Sequence, residues 1–376
     1  MLVVLSLGWA VLQGGRFLLS PLLPRITETL SLSDAGAGIA LTAFGLVYAV
    51  TQFPSGTYSD KLSRATIILP AFLVLVASFV FIGVPGGVAL FVFGLLLLGL
   101  GKGLYASPTR AMVGDLFSRN RGRALGIYAA GTDAGGLLAA GIAAYVLATT
   151  TWRWAFLPIV VVLALVTLLF VLWNTEPYTV ERVPLGAEET LDRIVATQAQ
   201  RERLAAYALF YFAVGGLINF YPSLLVASGF SETLASGAFA LIFVVGVVVK
   251  PVAGDVSDRY PRLLVSAVGL LLAAVGFAVI VLAGSLPFVA LGTILAAIGY
   301  KTQFPIADAV VIEAAPAENV AGDLGAARGI FLGANALGPG FVGLVADLAS
   351  FALAFWGLAV ALLLSAVILA RQYARA

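Results

Sequence analysis

The chain has 376 residues, of which 61% are hydrophobic and only 11% charged, against roughly a quarter charged in a soluble domain, so most of it must be solvated by lipid. A formal net charge of +2, with the basic residues scattered singly, gives no polyanion-binding stripe and excludes nucleic acid as a partner. Cysteine and histidine are both absent, which removes disulfides, thiol or imidazole metal sites and every Cys/His or Ser/His catalytic arrangement; no metal, cofactor or catalytic residue is expected.

A membrane span needs about 20 mostly apolar residues. Twelve such windows follow one another, at 2–23, 35–54, 65–84, 88–113, 124–149 and 154–173, then at 204–226, 235–252, 264–284, 287–311, 326–348 and 351–370. The first window is long enough to span and has neither a basic flank nor a small-residue cleavage site, so it reads as a span and not as a removable leader. The abrupt start Met1-Leu2-Val3 leaves room for residues upstream. Between the sixth and seventh windows the chain turns polar, with Glu176, Glu181, Glu188, Glu189 and Asp192, as expected of a surface linker with some helix. The expected organisation is a six-helix bundle at 1–174, a cytoplasmic linker at 175–203 and a second six-helix bundle at 204–376. The fold class is an all-α membrane protein of twelve transmembrane helices in two pseudo-symmetric bundles.

Lysine and arginine collect on one side. Lys61, Arg64, Arg110, Arg119, Arg121, Arg123, Arg182, Arg193, Arg201, Arg203, Lys250, Arg259, Arg262, Arg328, Arg371 and Arg375 fall in the even-side loops and tail, while the opposite loops hold Arg25 and Arg153. The positive-inside rule then puts both termini in the cytoplasm, in a multi-pass protein of the plasma membrane. Three basic residues remain within spans: Arg16, Lys102 and Lys301.

The halves repeat. Gly56, Ser59, Asp60, Lys61 and Arg64 recur, on adding 198 to each number, as Gly254, Ser257, Asp258, Arg259 and Arg262, and the same offset carries Asp115 to Glu313. A shifted match, Gly126-Ile127…Gly135 to Gly329-Ile330…Gly338, links spans 5 and 11. Equal numbers of spans per half make this a parallel repeat about an axis along the membrane normal. The doubled G-x-x-x-D-[RK]-x-x-R loop, together with Trp152-Arg153-Trp154-Ala155-Phe156 opening span 6 and a glycine-rich span 5, resembles the major facilitator superfamily over the whole chain. The resemblance implies two bundles around a midplane site lined mainly by spans 1, 4, 7 and 10. It implies that Asp60 faces the start of span 11 and Asp258 the start of span 5, with Arg64 and Arg262 pairing Asp115 and Glu313. Gly56, Asp60, Lys61, Arg64, Asp115, Gly254, Asp258, Arg259, Arg262 and Glu313 would then lock the bundles in the outward-facing state. The plainer reading is that these are ordinary polar turn residues in a basic loop.

A charge at the bilayer centre costs about 2.5–3.5 kcal/mol on insertion scales, so an embedded ion faces protein or water and marks a pathway. Arg16 lies on a polar stripe of span 1 with Trp9, Gln13 and Ser20, and Lys102 shares spacing with Tyr105 and Thr109 on span 4. At about 1.5 Å per residue all three cations come close to the midplane. A pocket with three cations and few acids suits a small organic anion, most simply a carboxylate, whose two oxygens match the planar fork of Arg16; sugar phosphates and inorganic oxyanions stay open. Snorkelling of Arg16 toward the outer interface is the alternative. Asp133 reaches the depth of Lys102, as a salt-bridge partner or as a protonatable coupling site. Arg110 and Asp308 are 198 apart, an equivalence that suggests an inner gate, or else two headgroup-zone charges. Tyr207, Tyr211 and Asn219 on span 7 are candidates for pocket wall and hydrogen bonding, Tyr207 and Tyr211 equally for packing; Gln52 and Asn335 read as interhelical hydrogen-bonding residues.

Three functions compete. The leading one is a secondary carrier that moves a small anionic solute by alternating access, acting as a monomer in the bilayer. Export of lipophilic compounds is the second; that branch of the family has Gly-Pro in span 5, whereas here Gly135-Gly136 precede Leu137 and the Gly-Pro stands at Gly338-Pro339. A non-transporting sensor or membrane enzyme is the third, disfavoured by the absence of a phosphate-binding G-x-x-x-x-G-K-[ST] loop.

Overall fold

The computed structural model describes residues 1–84, 86–181, 194–314 and 320–375, side chains at 53, 60, 121, 122, 312, 314, 320–322 and 324 excepted. The side chain of Asp60, that of Arg121, and the linker residues Arg182, Glu188, Glu189, Asp192 and Arg193 therefore lie outside the described residues. Among those described there is no strand. Twelve long helices follow in order: α1 Leu2–Leu30, α2 Asp34–Lys61, α3 Arg64–Gly83, α4 Val88–Leu116, α5 Arg121–Thr149, α6 Leu157–Trp173, α7 Gln198–Ala227, α8 Glu232–Arg259, α9 Arg262–Val281, α10 Leu286–Ala314, α11 Val320–Leu348 and α12 Phe351–Arg375.

Eleven of these are long and apolar enough to cross a membrane. The twelfth, α10, is as long, but Lys301, Gln303, Asp308 and Glu313 dilute its second half. At 29 residues, α1 is roughly 43 Å long and outruns a hydrocarbon core of about 30 Å, so its ends stand in the interfaces. Local chemistry sets the starts. Ser33 and Ser231, one repeat apart, cap α2 and α8, their hydroxyls accepting from the Gly36 and Leu234 amides at 3.0 and 3.2 Å. Thr197 and Gln200 cap α7 reciprocally, so helix takes in the last residues of the expected linker. The linker's beginning is tied down: Thr179 accepts from the Ser63 amide and Glu176 from that of Ala65.

In the first bundle α1 packs on α5, α4 on α2 and α3, and α6 on α3; α7–α12 repeat each pairing six helices on. The two pseudo-symmetric bundles meet along α2 with α11, α5 with α8, and α1 with α7. Both ends of the described chain lie on one face, called here the terminal face.

The seams are closed on the far face. The Asp347 carboxylate of α11 accepts from the Asp34 and Ala35 amides at the start of α2, both at 3.0 Å, where the helix dipole favours negative charge. Arg25 at the end of α1 reaches Glu232 of α8 at 2.8 Å. Gly38 and Gly343 let α2 and α11 touch: a Cβ on Gly38 would stand 2.5 Å from the Pro339 carbonyl oxygen. Further along, Thr42 accepts from the Gly340 amide and Gly45 abuts Ala336. One and two turns nearer the terminal face, Gly333 and Gly329 meet no atom within 4 Å of where a Cβ would stand, and the same holds for Gly126 of α5 and Gly254 of α8. Along these faces the seams part toward the terminal face.

The absence of cysteine makes this opening measurable without a background to remove. In reconstituted vesicles Gly329→Cys is expected to react completely with an impermeant maleimide presented to the terminal face. Thr42→Cys should stay unlabelled from the far face over the same exposure. Equal labelling of the two would contradict the sealed seam.

Candidate functional site

Arg16, Lys102 and Lys301 occupy the middle turns of three 29-residue helices, α1, α4 and α10. Arg16 and Lys301 each reach a side chain of the opposite bundle while Lys102 lies against α2, and the three are 8%, 2% and 8% exposed in that order. Arg16 donates through Nη2 to Oδ1 of Asn219 on α7 at 3.3 Å, while Asn219 donates its amide to the Gly215 carbonyl. The guanidinium lies 5.0 Å from the Phe17 ring centre and 6.0 Å from that of Phe44. Lys102 Nζ stands 4.5 Å from the Tyr48 ring centre and 5.9 Å from that of Phe44. It also lies within Coulombic reach of Arg16 and Arg110. Among the described residues no carboxylate pairs with Arg16 or Lys102; ring faces and one amide are what they have.

Lys301 is arranged differently. Its ammonium donates to Oδ1 of Asp133 at 2.8 Å, and Lys250 of α8 donates to Oδ2 of the same carboxylate at 2.5 Å. Asp133 belongs to the first bundle and both lysines to the second, so this cluster bridges the bundles. Gly246, one turn from Lys250 on α8, makes room for it: a Cβ there would fall 2.8 Å from Lys301 Cε and 2.9 Å from Asp133 Oδ1. Phe243 and Tyr300 lie beside the Lys301 ammonium at 4.8 and 5.1 Å. Toward the far face Phe17 packs on Phe243 at 4.7 Å and on Phe239 at 6.3 Å, an aromatic roof over the charges.

Beside Arg16 on α1, Gln13 and Ser20 are 5% and 2% exposed, and the Gln13 Oε1 and Ser20 Oγ atoms lack a hydrogen-bond partner among the described residues, as does Oε1 of Gln52 on α2. Buried polar atoms are costly to leave unmet, so these mark places for water or solute.

Several expectations need correction. Lys250, assigned from sequence to an inner loop, lies inside α8 and is a fourth embedded cation, because α8 runs on to Arg259. Asp133 pairs with Lys301 and Lys250, not with Lys102. Tyr105 is not at the pocket: its hydroxyl donates to the Leu5 carbonyl at 2.9 Å and its ring stacks with Trp9 inside the first bundle. Tyr207 is likewise turned inward, to Ser266. Tyr211 stacks on Phe331, within Coulombic reach of Arg110, Asp308 and Arg328. Arg110 lies over the Trp9 ring at 5.6 Å, and Asp308 pairs with Arg328 of α11, so the two proposed gate residues are apart in this conformation.

At the terminal-face loops Arg64 pairs with Asp115 at 3.3 Å and Arg262 with Glu313. Asp258 is held by Arg262, and Arg259 by Asp255. The Asp258 carboxylate is thus engaged within its own bundle. A pocket lined by Arg203, Tyr207, Val310, Asp323 and Phe331 lies inside the second bundle and contains none of the midplane cations.

The sequence matches the Major Facilitator Superfamily over residues 5–205 and again over 203–375. It is 28% identical over 223 residues to the uncharacterized MFS-type transporter EfpA of Mycobacterium tuberculosis, covering 58% of this chain and 40% of that protein. It is 26% identical over 258 residues to the hexuronate transporter of Bacillus subtilis, covering 65% of this chain and 60% of that one. The match thus spans less than two thirds of either relative. Among solved structures, a bacterial homologue of the human lysosomal transporter Spinster, in an inward-facing and occupied conformation, superposes with a TM-score of 0.79 at 21% identity, over 99% of this chain and 94% of that one.

Removing the carboxylate from the bridging cluster leaves two buried ammonium groups uncompensated. Asp133→Asn is therefore expected to cost about 3–5 kcal/mol, read as a lowered unfolding temperature in detergent. Asp133→Asn combined with Lys301→Met should recover most of the loss, since Lys250 is less buried and can reach water. An unchanged melting temperature for the single variant would show that the bridge carries no load.

Proposed function

Because the chain belongs to the major facilitator superfamily, whose members are membrane transporters and not enzymes, we propose that this multi-pass membrane protein is a secondary carrier of a small organic anion of carboxylate type. The observation that carries the reading is the pair Arg16 and Lys102, buried at the middle of the molecule without a carboxylate partner among the described residues. Such charges are kept in a membrane protein for what passes them. Arg16 offers a fork for two parallel hydrogen bonds and Lys102 a point charge beside it. Gln13, Ser20 and Asn219 add polar contacts, and Phe44, Tyr48 and Tyr300 give apolar wall. The hexuronate transporter among the relatives carries an anion, in keeping with this chemistry.

Basic residues crowd the terminal face, which the positive-inside rule makes cytoplasmic; the conformation described is then inward-open. In the outward-open state the terminal face closes, and Asp308 exchanges Arg328 for Arg110 across the bundle interface. The loop residues Asp60 and Asp258 then move to the helix starts of the opposite bundle, where the positive end of the dipole receives them.

The reading is tested by uptake of radiolabelled glucuronate, lactate and phosphate into reconstituted vesicles. Arg16→Ala and Lys102→Ala should each raise KM by about 10- to 100-fold, the loss of one charge-assisted hydrogen bond or ion contact. Export of a lipophilic cation indifferent to both changes would replace this reading with the efflux one. For the gate, Arg110→Asp and Asp308→Arg should each abolish uptake and the double reversal restore it; no recovery in the double variant would remove the gate.

A further inference from the structure

We propose that a phospholipid of the far leaflet is seated on this protein, with one hydrocarbon tail in a groove between α5 and α6 and its phosphate on Arg153. The inference is independent of what the carrier moves. The groove arises because the two helices diverge: α5 meets the turn of helix that follows it, Trp152–Phe156, while α6 leans on α1 and α3. Between them lies a hollow of about 640 Å³ on the outside of the first bundle.

The wall of this hollow changes its chemistry along the thickness of one leaflet. Leu137 and Leu138 stand near the middle of α5, Ile142 and Tyr145 follow one and two turns on, and Thr150 lies beyond the end of the helix. From Leu137 to Thr150 is roughly 20 Å at about 1.5 Å per residue, against about 15 Å for half of a hydrocarbon core. Tyr145 and Trp154, 68% and 59% exposed, border the upper part of the groove, at the level where aromatic side chains gather in membrane proteins.

Next to Trp154 in the chain stands Arg153. The far-side loops hold two cations, Arg25 and Arg153, and Arg25 is met by Glu28 and Glu232. Arg153 pairs with no carboxylate among the described residues: its guanidinium lies over the Trp152 ring at 4.4 Å, and its Nε is buried without an acceptor. Apolar side chains, then rings, then a hydroxyl and a cation form the sequence that a lipid presents from tail to phosphate. An arginine fork suits two oxygens of a phosphodiester. Leucines alone would suit a second copy of this chain equally; the unpaired arginine at headgroup depth selects a phospholipid.

The seat also backs a working part of the molecule. Leu137 is one turn from Asp133 and adjoins Gly136, against which Phe243 of α8 packs. A tail held there braces the stretch of α5 that carries the bridge between the bundles, so the bound lipid stabilises the fold. Gly141 offers a way to fill the groove. It lines the hollow, and no atom lies within 4 Å of where its Cβ would stand; Gly141→Phe therefore puts a ring in the path of the tail without disturbing a packed neighbour. Gly237 of α8 is equally open and lies outside the groove, which makes Gly237→Phe the control.

The experiment titrates the full chain in detergent with dioleoyl phosphatidylglycerol, or with dioleoylglycerol, which has the same tails and no phosphate. Bound lipid is counted by native mass spectrometry and the unfolding temperature is followed. The native chain should hold one phosphatidylglycerol at least about tenfold more tightly than dioleoylglycerol, with a raised unfolding temperature, and Arg153→Gln should lose that preference. Gly141→Phe should lose both the tightly held lipid and the temperature gain, while Gly237→Phe keeps both. Equal binding of the two lipids by the native chain would overturn the proposal, and so would a tightly held lipid that survives Gly141→Phe. A lipid-free dimer that Gly141→Phe dissociates would also overturn it and give the groove to a second copy of the chain. Should Gly141→Phe fail to fold, the headgroup preference of the native chain and its loss in Arg153→Gln decide.

Discussion

A charge taken from water into hydrocarbon must find a partner there, and among the described residues four basic side chains lie in the middle or inner-middle turns of their helices with one carboxylate, Asp133, between two of them. The rest of the structure is arranged around that imbalance. Asp133 meets Lys250 and Lys301 from the opposite bundle, which ties the two halves together at the middle. Arg16 and Lys102 stay beside that bridge with ring faces and amides for company, which lowers their cost without cancelling their charge. The aromatic roof and the glycine-lined seam above them keep water out from the far side.

The seam between α2 and α11 and the seam between α5 and α8 solve the same mechanical problem with different chemistry. Along α2 and α11 the backbones touch through Gly38, Gly45 and Gly343, and a carboxylate closes the end. Along α5 and α8 a ring, Phe243, fills the space left by Gly136. Close approach without interlocking side chains lets one helix roll on another at small cost. The Asp133 bridge lies on the second seam, where Gly246 leaves the room it needs. The two seams are therefore built differently, backbone against backbone in one, a ring and an ion cluster in the other.

Twelve long helices in two bundles are legible in the sequence because hydrophobic length and the 198-residue repeat report on the bilayer and on duplication directly. Azimuth is not. Lys102 and Tyr105 share a helical face broad enough to hold both, yet Tyr105 turns into its own bundle toward Leu5 while Lys102 points outward to Tyr48. Residue count puts Asp133 level with Lys102, but depth alone does not say which neighbouring helix a side chain meets, and Asp133 meets Lys301 and Lys250. Lys250 reads as a loop residue for a related reason: the apolar window closes two residues after it, whereas the helix continues to Arg259. The contacts Arg64–Asp115 and Arg262–Glu313 are the opposite case, implied by the family resemblance and present in both halves.

The clasp formed by Asp347 has one side chain and no second. Its acceptor oxygens are met by main-chain amides of residues 34 and 35, which any residue but proline supplies. Related sequences could vary freely at both positions and keep the clasp, so searching for correlated substitutions would find no partner for Asp347. A contact that shuts one end of the molecule is in this way written in half of the genetic information that a salt bridge would require.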